Sequence, residues 1–159
     1  MRFRAVDVTG AEALTLLDAY FAERAAGFPV EQGEYRPTYP VAEQFTPPHP
    51  ITAPCTSSTT RNSPAGGVRR IDSRPGSDEP RFEVKHLWLS QASRGRGAGR
   101  RLLGELERRA LTFGARELVL DTNASLEAAG GLYRSSGYAE VEPYNANPNA
   151  THWYGKRVG

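Results

Sequence analysis

Between residues 94 and 100 the chain reads Arg-Gly-Arg-Gly-Ala-Gly-Arg. Glycines at 95, 97 and 99 let a backbone approach an anion closely, and a helix starting beside them would turn its unpaired N–H groups onto the same spot. A pyrophosphate fits such a cradle. A solvated turn between a strand and a helix has the same composition, and on these residues alone both readings stand. The familiar nucleotide alternatives fail on residue identity. A dinucleotide fingerprint needs glycine where Arg100 stands, and a phosphate-binding P-loop ends in Gly-Lys-Ser/Thr, which this loop lacks. A nucleic-acid patch would draw on Arg94, Arg96, Arg100 and Arg101, but no aromatic residues are interleaved with them. His86 stands alone in a run of strand-forming residues, which gives no metal-ligand spacing and reads as structural, so no metal is expected. Cys55 is the only cysteine and has no internal disulfide partner.

The elements around this loop follow from hydrophobic spacing. Phe3, Ala5 and Val8 mark a first strand, and Thr9 followed three residues later by Glu12 has the pattern of a capping box for a helix beginning near Gly10. Leu14, Leu17, Phe21 and Ala25 recur at helical spacing up to Gly27 and Pro29, which end the helix. Ten of the twelve prolines lie between Pro29 and Pro80, so residues 28–65 should be mostly loop. A strand through Val68 and Ile71, a Gly/Pro/Asp turn over 72–80 and a strand from Phe82 to Leu89 make a hairpin. The second of these strands changes phase at Leu87 and Leu89, the pattern of a β-bulge. Leu102, Leu103, Leu106, Ala110 and Phe113 mark one face of the helix after the glycine loop, and Glu105 and Arg109 form an i,i+4 pair on it. A strand over 117–122, a short helix over 125–135 and strands over 138–141 and 151–158 complete the chain.

Composition sets the bounds. The 159 residues suit one domain with one core, and 20 Lys and Arg against 18 Asp and Glu leave a net charge of +2, too small to name a partner. No apolar run approaches the roughly 20 residues needed to span a bilayer, and the N-terminal segment lacks the apolar stretch of a secretory signal. A cytoplasmic protein without membrane or nucleic-acid partners is the expectation.

Three motifs in order then point further. Arg94-x-x-Gly97-x-Gly99 resembles the acyl-CoA pyrophosphate motif of the GNAT superfamily of N-acetyltransferases, in its usual place between the fourth strand and the third main helix. Leu132-Tyr133 followed by Gly137-Tyr138 resembles that family's second cofactor motif, and Pro143-Tyr144-Asn145 up to His152-Trp153 resembles the ending of many small bacterial members. The resemblance is good from Gly66 to Val158 and fair from Phe3 to Pro48. It implies one α/β (α+β) domain over 1–159 with a mixed, mostly antiparallel sheet flanked by helices. It implies acetyl-CoA as co-substrate, a primary amine as acceptor, and a homodimer as a plausible assembly; because the chain carries no obvious peptide-binding appendage, a small-molecule amine is expected rather than a protein. A non-catalytic acyl-CoA-binding protein of the same family is the alternative.

The resemblance also assigns roles. Glu83, six residues before Leu89, has the position of the glutamate that acts as general base in some members, directly or through water; a solvent-facing strand carboxylate is the plain alternative. The backbone at Leu87, Trp88 and Leu89 would polarise the acetyl carbonyl and hold the pantetheine arm, while Arg94, Gly95, Arg96, Gly97, Ala98, Gly99 and Arg100 would hold the pyrophosphate. Tyr133 has the position of the general acid that protonates the departing thiolate. Asn123 would touch the cofactor arm or cap the helix after it. Trp153 and Tyr154 read as sheet packing and Tyr144 as part of a lid. One departure stands out. The second strand of the family belongs near Ile51–Asn62, yet that stretch holds a proline and few large apolar groups and does not read as a central strand. Back-translation with GC-rich codons admits another frame there, encoding a valine-rich strand and an acidic turn, so a local frame lesion with irregular structure over 49–65 is the expectation.

Overall fold

A computed structural model of the chain describes residues 3–41, 43, 51–54 and 64–159. Strands β1 (Phe3–Val6), β2 (Ile51–Pro54), β3 (Ala65–Ile71), β4 (Arg81–Trp88), β5 (Glu117–Thr122), β6 (Ala139–Glu140) and β7 (His152–Arg157) form one sheet in the order β1-β2-β3-β4-β5-β7-β6. Only β4 and β5 pair in parallel; every other neighbouring pair is antiparallel. The mixed, mostly antiparallel sheet expected from the sequence is therefore present. Helices α1 (Ala11–Ala26), α2 (Ala98–Thr112) and α3 (Glu127–Ser135) pack on it.

Strand periodicity sorts the sheet's side chains into two faces. Val68, Phe82, Val84, Leu118, Leu120 and Tyr154 point to one face, where Leu102, Leu103, Leu106 and Ala110 of α2 and Tyr133 of α3 close the larger core. On the other side Ala13, Leu16, Leu17 and Phe21 of α1 meet Val6, Ala65 and Trp88 in a second core. Arg69, Glu83, Lys85 and Asp121 alternate with the first set and so fall on the second face. Part of that face lies under the loop after β6, which places Tyr144 and Asn145 against Glu83.

Three local expectations are revised. β2 is a regular strand between β1 and β3, so 51–54 does belong to the sheet. Ladder hydrogen bonds are made by backbone and need no apolar side chain, and Pro54 sits at the strand's end opposite Phe3, where a missing N–H costs least. Residues 49–50 and 55–63, including Cys55, lie outside the described residues. Second, no capping box forms: the Thr9 hydroxyl donates to Asp7 (2.8 Å), Gly10 is the N-cap of α1, and Glu12 pairs with Arg4. Third, α1 is rotated from the face expected, so that Ala13 and Leu16 are buried while Leu14 is 41% exposed.

The predicted bulge lies in β4. Ala65 pairs with Trp88 but Gly67 with Lys85, which leaves an extra residue on β4 between them, and His86 takes a left-handed backbone (φ 53°) to accommodate it. Its consequence is the site.

A candidate active-site cleft

The parallel pairing of β4 and β5 covers Arg81–Glu83 against Glu117–Val119. Beyond it lies a cavity of about 770 Å³ lined by Val84 to Leu89 on one side and Asp121 to Asn123 on the other. A bulge increases local twist and bends its strand, which accounts for a gap opening beside His86. Backbone polar groups on the facing edges of both strands are thereby available to a ligand, as in an extended groove.

One end of the cavity is the glycine loop. Arg94, Gly95, Gly97, Ala98, Gly99 and Arg100 line it, while the Arg96 side chain lies outside the wall. Gly95 (φ 74°) and Gly97 (φ 72°) need the left-handed region, and Gly97 is the N-cap of α2, so the first N–H groups of that helix open on the cavity. A Cβ at Gly97 would meet nothing within 4 Å. At Gly99 it would stand 3.0 Å from Leu89 Cδ1 and 3.2 Å from Leu132 Cδ2, so a side chain there would crowd both leucines where α2 meets the end of β4 and α3. The donor set and the space fit a pyrophosphate on the helix N-terminus. Arg94 donates to the Leu89 carbonyl (3.0 Å) and pairs with Glu23 of α1; Arg100 bonds the carbonyl and hydroxyl of Ser135 at 3.1 and 2.9 Å.

Further in, Leu87, Trp88 and Leu89 form one wall, and Leu126, Ala128, Ala129, Leu132 and Tyr133 of α3 an apolar wall opposite. Trp88 is fixed by its indole N–H to Glu23 (3.1 Å). Tyr133 is 6% exposed and its ring is held between those of Tyr138 and Tyr154, with centroids at 6.1 and 5.9 Å. Burial, then the charge of Asp121, raises its phenol above the ordinary range, so it stays protonated.

Glu83 is fully buried and lies behind the cavity wall. It accepts from Arg69 (2.6 Å), Tyr144 (2.8 Å) and Asn145 (3.3 Å), and Lys85 is 3.0 Å away. The solvent-facing alternative for Glu83 is thus not what the fold holds. Lys85 and Asn145 reach the cavity, and both contact Asp121, at 2.9 and 2.7 Å. Burial works against the Asp121 charge, but Lys85, Asn145 and Asn147 outweigh it and hold this carboxyl below its usual range. Asp121 was not singled out from sequence. The signal was present in two places: it breaks an apolar run in β5 on the face opposite Leu120, and asparagines recur at 145, 147 and 149, every second residue of one loop. That loop lines the cavity from Asn145 to Ala150. Tyr144 itself turns inward to Glu83 and lies under the Arg81 guanidinium, 5.0 Å from the ring centre.

Asn123 has a buried side chain that is engaged within the fold. Its oxygen accepts from the Ser125 N–H (3.0 Å), and its amide donates to Gln32 (2.7 Å) and to the Asn149 carbonyl (3.0 Å). It closes the turn before α3 and ties three loops together. His86 lines the cavity with its ring against Tyr20 and Phe21, at 5.3 and 5.5 Å. Burial, with Lys85 and Arg69 nearby, lowers its pKa to about 3, so the ring is neutral at physiological pH. Trp153 donates to Asn145 (2.9 Å) and Tyr154 accepts from Arg134 (3.0 Å); both pack on the sheet, outside the cavity wall.

A mixed sheet whose two parallel strands part over a glycine-loop helix N-terminus is the arrangement of an acyl-CoA-binding fold. Residues 17–138 match the sequence pattern of the acetyltransferase (GNAT) family, and the chain belongs to that family. Similar solved structures include a GNAT-family acetyltransferase of Staphylococcus aureus, with a TM-score of 0.77, 12% identity and 99% of each chain covered. A GNAT-superfamily phosphinothricin acetyltransferase of Sinorhizobium meliloti, solved in complex with AcCoA, aligns with a TM-score of 0.68 at 17% identity, covering 100% of this chain and 90% of that one. A GCN5-related N-acetyltransferase of Kribbella flavida aligns at 0.64 with 20% identity over 98% of both chains. An uncharacterized protein of Mycobacterium leprae is 38% identical over 76 residues, which span 47% of this chain and 19% of that protein.

Proposed function

We propose that the protein transfers the acetyl group of acetyl-CoA to a primary amine of a small molecule. The observation that carries the reading is the cleft itself. Its glycine loop and helix N-terminus lie at one end, a buried protonated tyrosine stands in its wall, and Asp121, Lys85 and the asparagines of the 145–150 loop line part of the rest, with Glu83 behind them. When bound, acetyl-CoA supplies a thioester carbonyl open to attack by an amine. Gly95, Gly97 and the first turn of α2 would hold the pyrophosphate, with Arg100 beside them. The open edge of β4 from Leu87 to Leu89 would orient the acyl arm and direct N–H groups at the carbonyl oxygen.

The acceptor must lose a proton first. For an amine of pKa near 10.4 this costs about 4.6 kcal/mol at pH 7, and for an α-amine near 8 about 1.4. Glu83 is the proposed base, acting through water or through the Lys85 ammonium, which can pass a proton to the carboxylate and take one from the amine, rather than by direct contact, because Lys85 and Asn145 stand between it and the cavity. Tyr133 is the proposed acid, holding the proton that the leaving thiolate takes up. His86, with its pKa lowered to about 3, is too weak a base at neutral pH for either role.

Titration calorimetry of acetyl-CoA into the purified protein and into a Gly97→Glu variant tests the site. A Cβ at Gly97 meets open space, so the glutamate charges the phosphate end, and it also strains the left-handed backbone that shapes the loop. The expected result is specific binding by the folded wild-type protein and at least about tenfold weaker binding by the variant, the worth of a lost charge-assisted contact. Equal affinity in both proteins would remove the glycine loop from the cofactor site.

A further inference from the structure

The charges around the cleft do not balance, and the imbalance has a location. Arg69 is matched by Glu83, Lys85 by Glu83 and Asp121, and Arg94 by Glu23. Arg100 lies beside the glycine loop with its guanidinium on Ser135. Arg24 and Arg36 also line the cavity, and among the described residues neither has a carboxylate partner.

Arg24 projects from α1, half-buried, with its guanidinium carbon 5.7 Å from the centre of the Tyr35 ring and close enough to Tyr133 to bear on that phenol's ionisation. Arg36 is on the rim. Its backbone is clamped by one side chain: its N–H donates to Asn149 Oδ1 (3.0 Å), and its carbonyl accepts from Asn149 Nδ2 (2.7 Å). The same loop reaches Asp121 through Asn145 and Asn147. The Arg24 guanidinium therefore lies in the part of the cleft near Tyr133, and Arg36 is anchored at the rim by the loop that reaches Asp121, whereas the phosphate end has its own donors. For half-buried Arg24 a guanidinium without a counterion is costly, and a ligand that brings an oxyanion removes that cost, while exposed Arg36 adds positive charge at the rim. Guanidinium also suits the planar, two-oxygen geometry of carboxylate and phosphate.

We infer that the acceptor amine carries an acid group, a carboxylate or a phosphate, and that Arg24 and Arg36 read it. The inference rests on the acetyl-transfer reading and narrows it. Acceptors such as polyamines and aminoglycosides, polycationic at neutral pH, would meet two unmatched guanidinium groups and are poor substrates.

The test compares initial rates with acetyl-CoA for amines that differ only in the acid: α-amino acids against their amides, and phosphoethanolamine against ethanolamine, with spermidine as the polycation. The acid-bearing member is expected to lead by about tenfold or more in kcat/KM, and whichever pair shows the larger ratio identifies carboxylate or phosphate. Arg36→Gln, a rim substitution that leaves the packing alone, and Arg24→Gln should each reduce the ratio, mainly through KM. The double variant should bring both members of a pair to similar rates, and Arg24→Lys should keep part of the preference. Calorimetric binding of N-acetylalanine against its amide, which needs no turnover, should show the same order in the wild-type protein and lose it in the double variant. Equal rates within every pair, or faster transfer to spermidine, would overturn the inference and leave acetyl transfer standing. Transfer to no amine at all would remove both.

Discussion

Tyr133 shows how much of the chemistry comes down to one atom. Its ring belongs to the larger core, packed against Tyr138 and Tyr154, while the residue also lines the cleft. Tyr133→Phe keeps the ring and removes only the hydroxyl. If the phenol protonates the leaving thiolate, kcat should fall by about 100-fold, the lower range for a general acid, with acetyl-CoA affinity nearly unchanged. Steady-state kinetics beside calorimetry checks this, and an unchanged kcat would assign Tyr133 to the core alone. Glu83 makes a complementary point. Its position six residues before Leu89 was legible, but not its surroundings: Arg69, Lys85, Tyr144 and Asn145 meet it through strand pairing and a returning loop. Such contacts between distant segments have no local sequence signal.

At the scale of elements, the site depends on the strain in β4. His86 occupies a backbone conformation that few non-glycine residues adopt, and Asn is among those that tolerate it. The pKa of His86, lowered to about 3 by burial, Lys85 and Arg69, also makes this bulge sensitive to acid. An unfolded histidine titrates near 6.5, so as pH falls below that value the unfolded chain takes up a proton that the folded chain resists. Stability is then full above about pH 6.5 and is lost progressively toward pH 3. Between pH 7.5 and 4.5 the loss from this one group is about 3 kcal/mol. His86→Asn should flatten that part of the profile in denaturant titrations, and an unaltered slope would mean that the ring is not the titrating group. The elements themselves were unevenly readable. The glycine loop, α2 and β5 carry strong punctuation and periodicity, and each lies where the sequence places it. β2 was not legible because its ladder is built from backbone hydrogen bonds on a poorly apolar segment. The face of α1 is not legible in the sequence because Leu14 and Leu16 both fit a helical stripe, and only tertiary packing decides between them.

For the whole molecule, one bulge and one glycine loop convert an ordinary mixed sheet into a cleft. The parting of β4 and β5 supplies a groove, the two cores hold its walls, α1 borders it from Tyr20 and Phe21 to Glu23 beside Arg94, and the 145–150 loop lines it next to Asp121. Polar residues buried beneath that loop would be a poor choice for stability alone, since a paired buried charge barely recovers its desolvation cost. The proposed catalysis accounts for their concentration beside the cleft. The most direct measurement is amine-dependent release of CoA thiol from acetyl-CoA by the purified wild-type protein, with the acetylated amine identified by mass spectrometry. Acetyl transfer predicts thiol release that requires the amine, equals the acetylated product in amount, and saturates in both substrates. Tight acetyl-CoA binding without amine-dependent release across a broad panel would contradict it and leave a protein that binds the cofactor without using it.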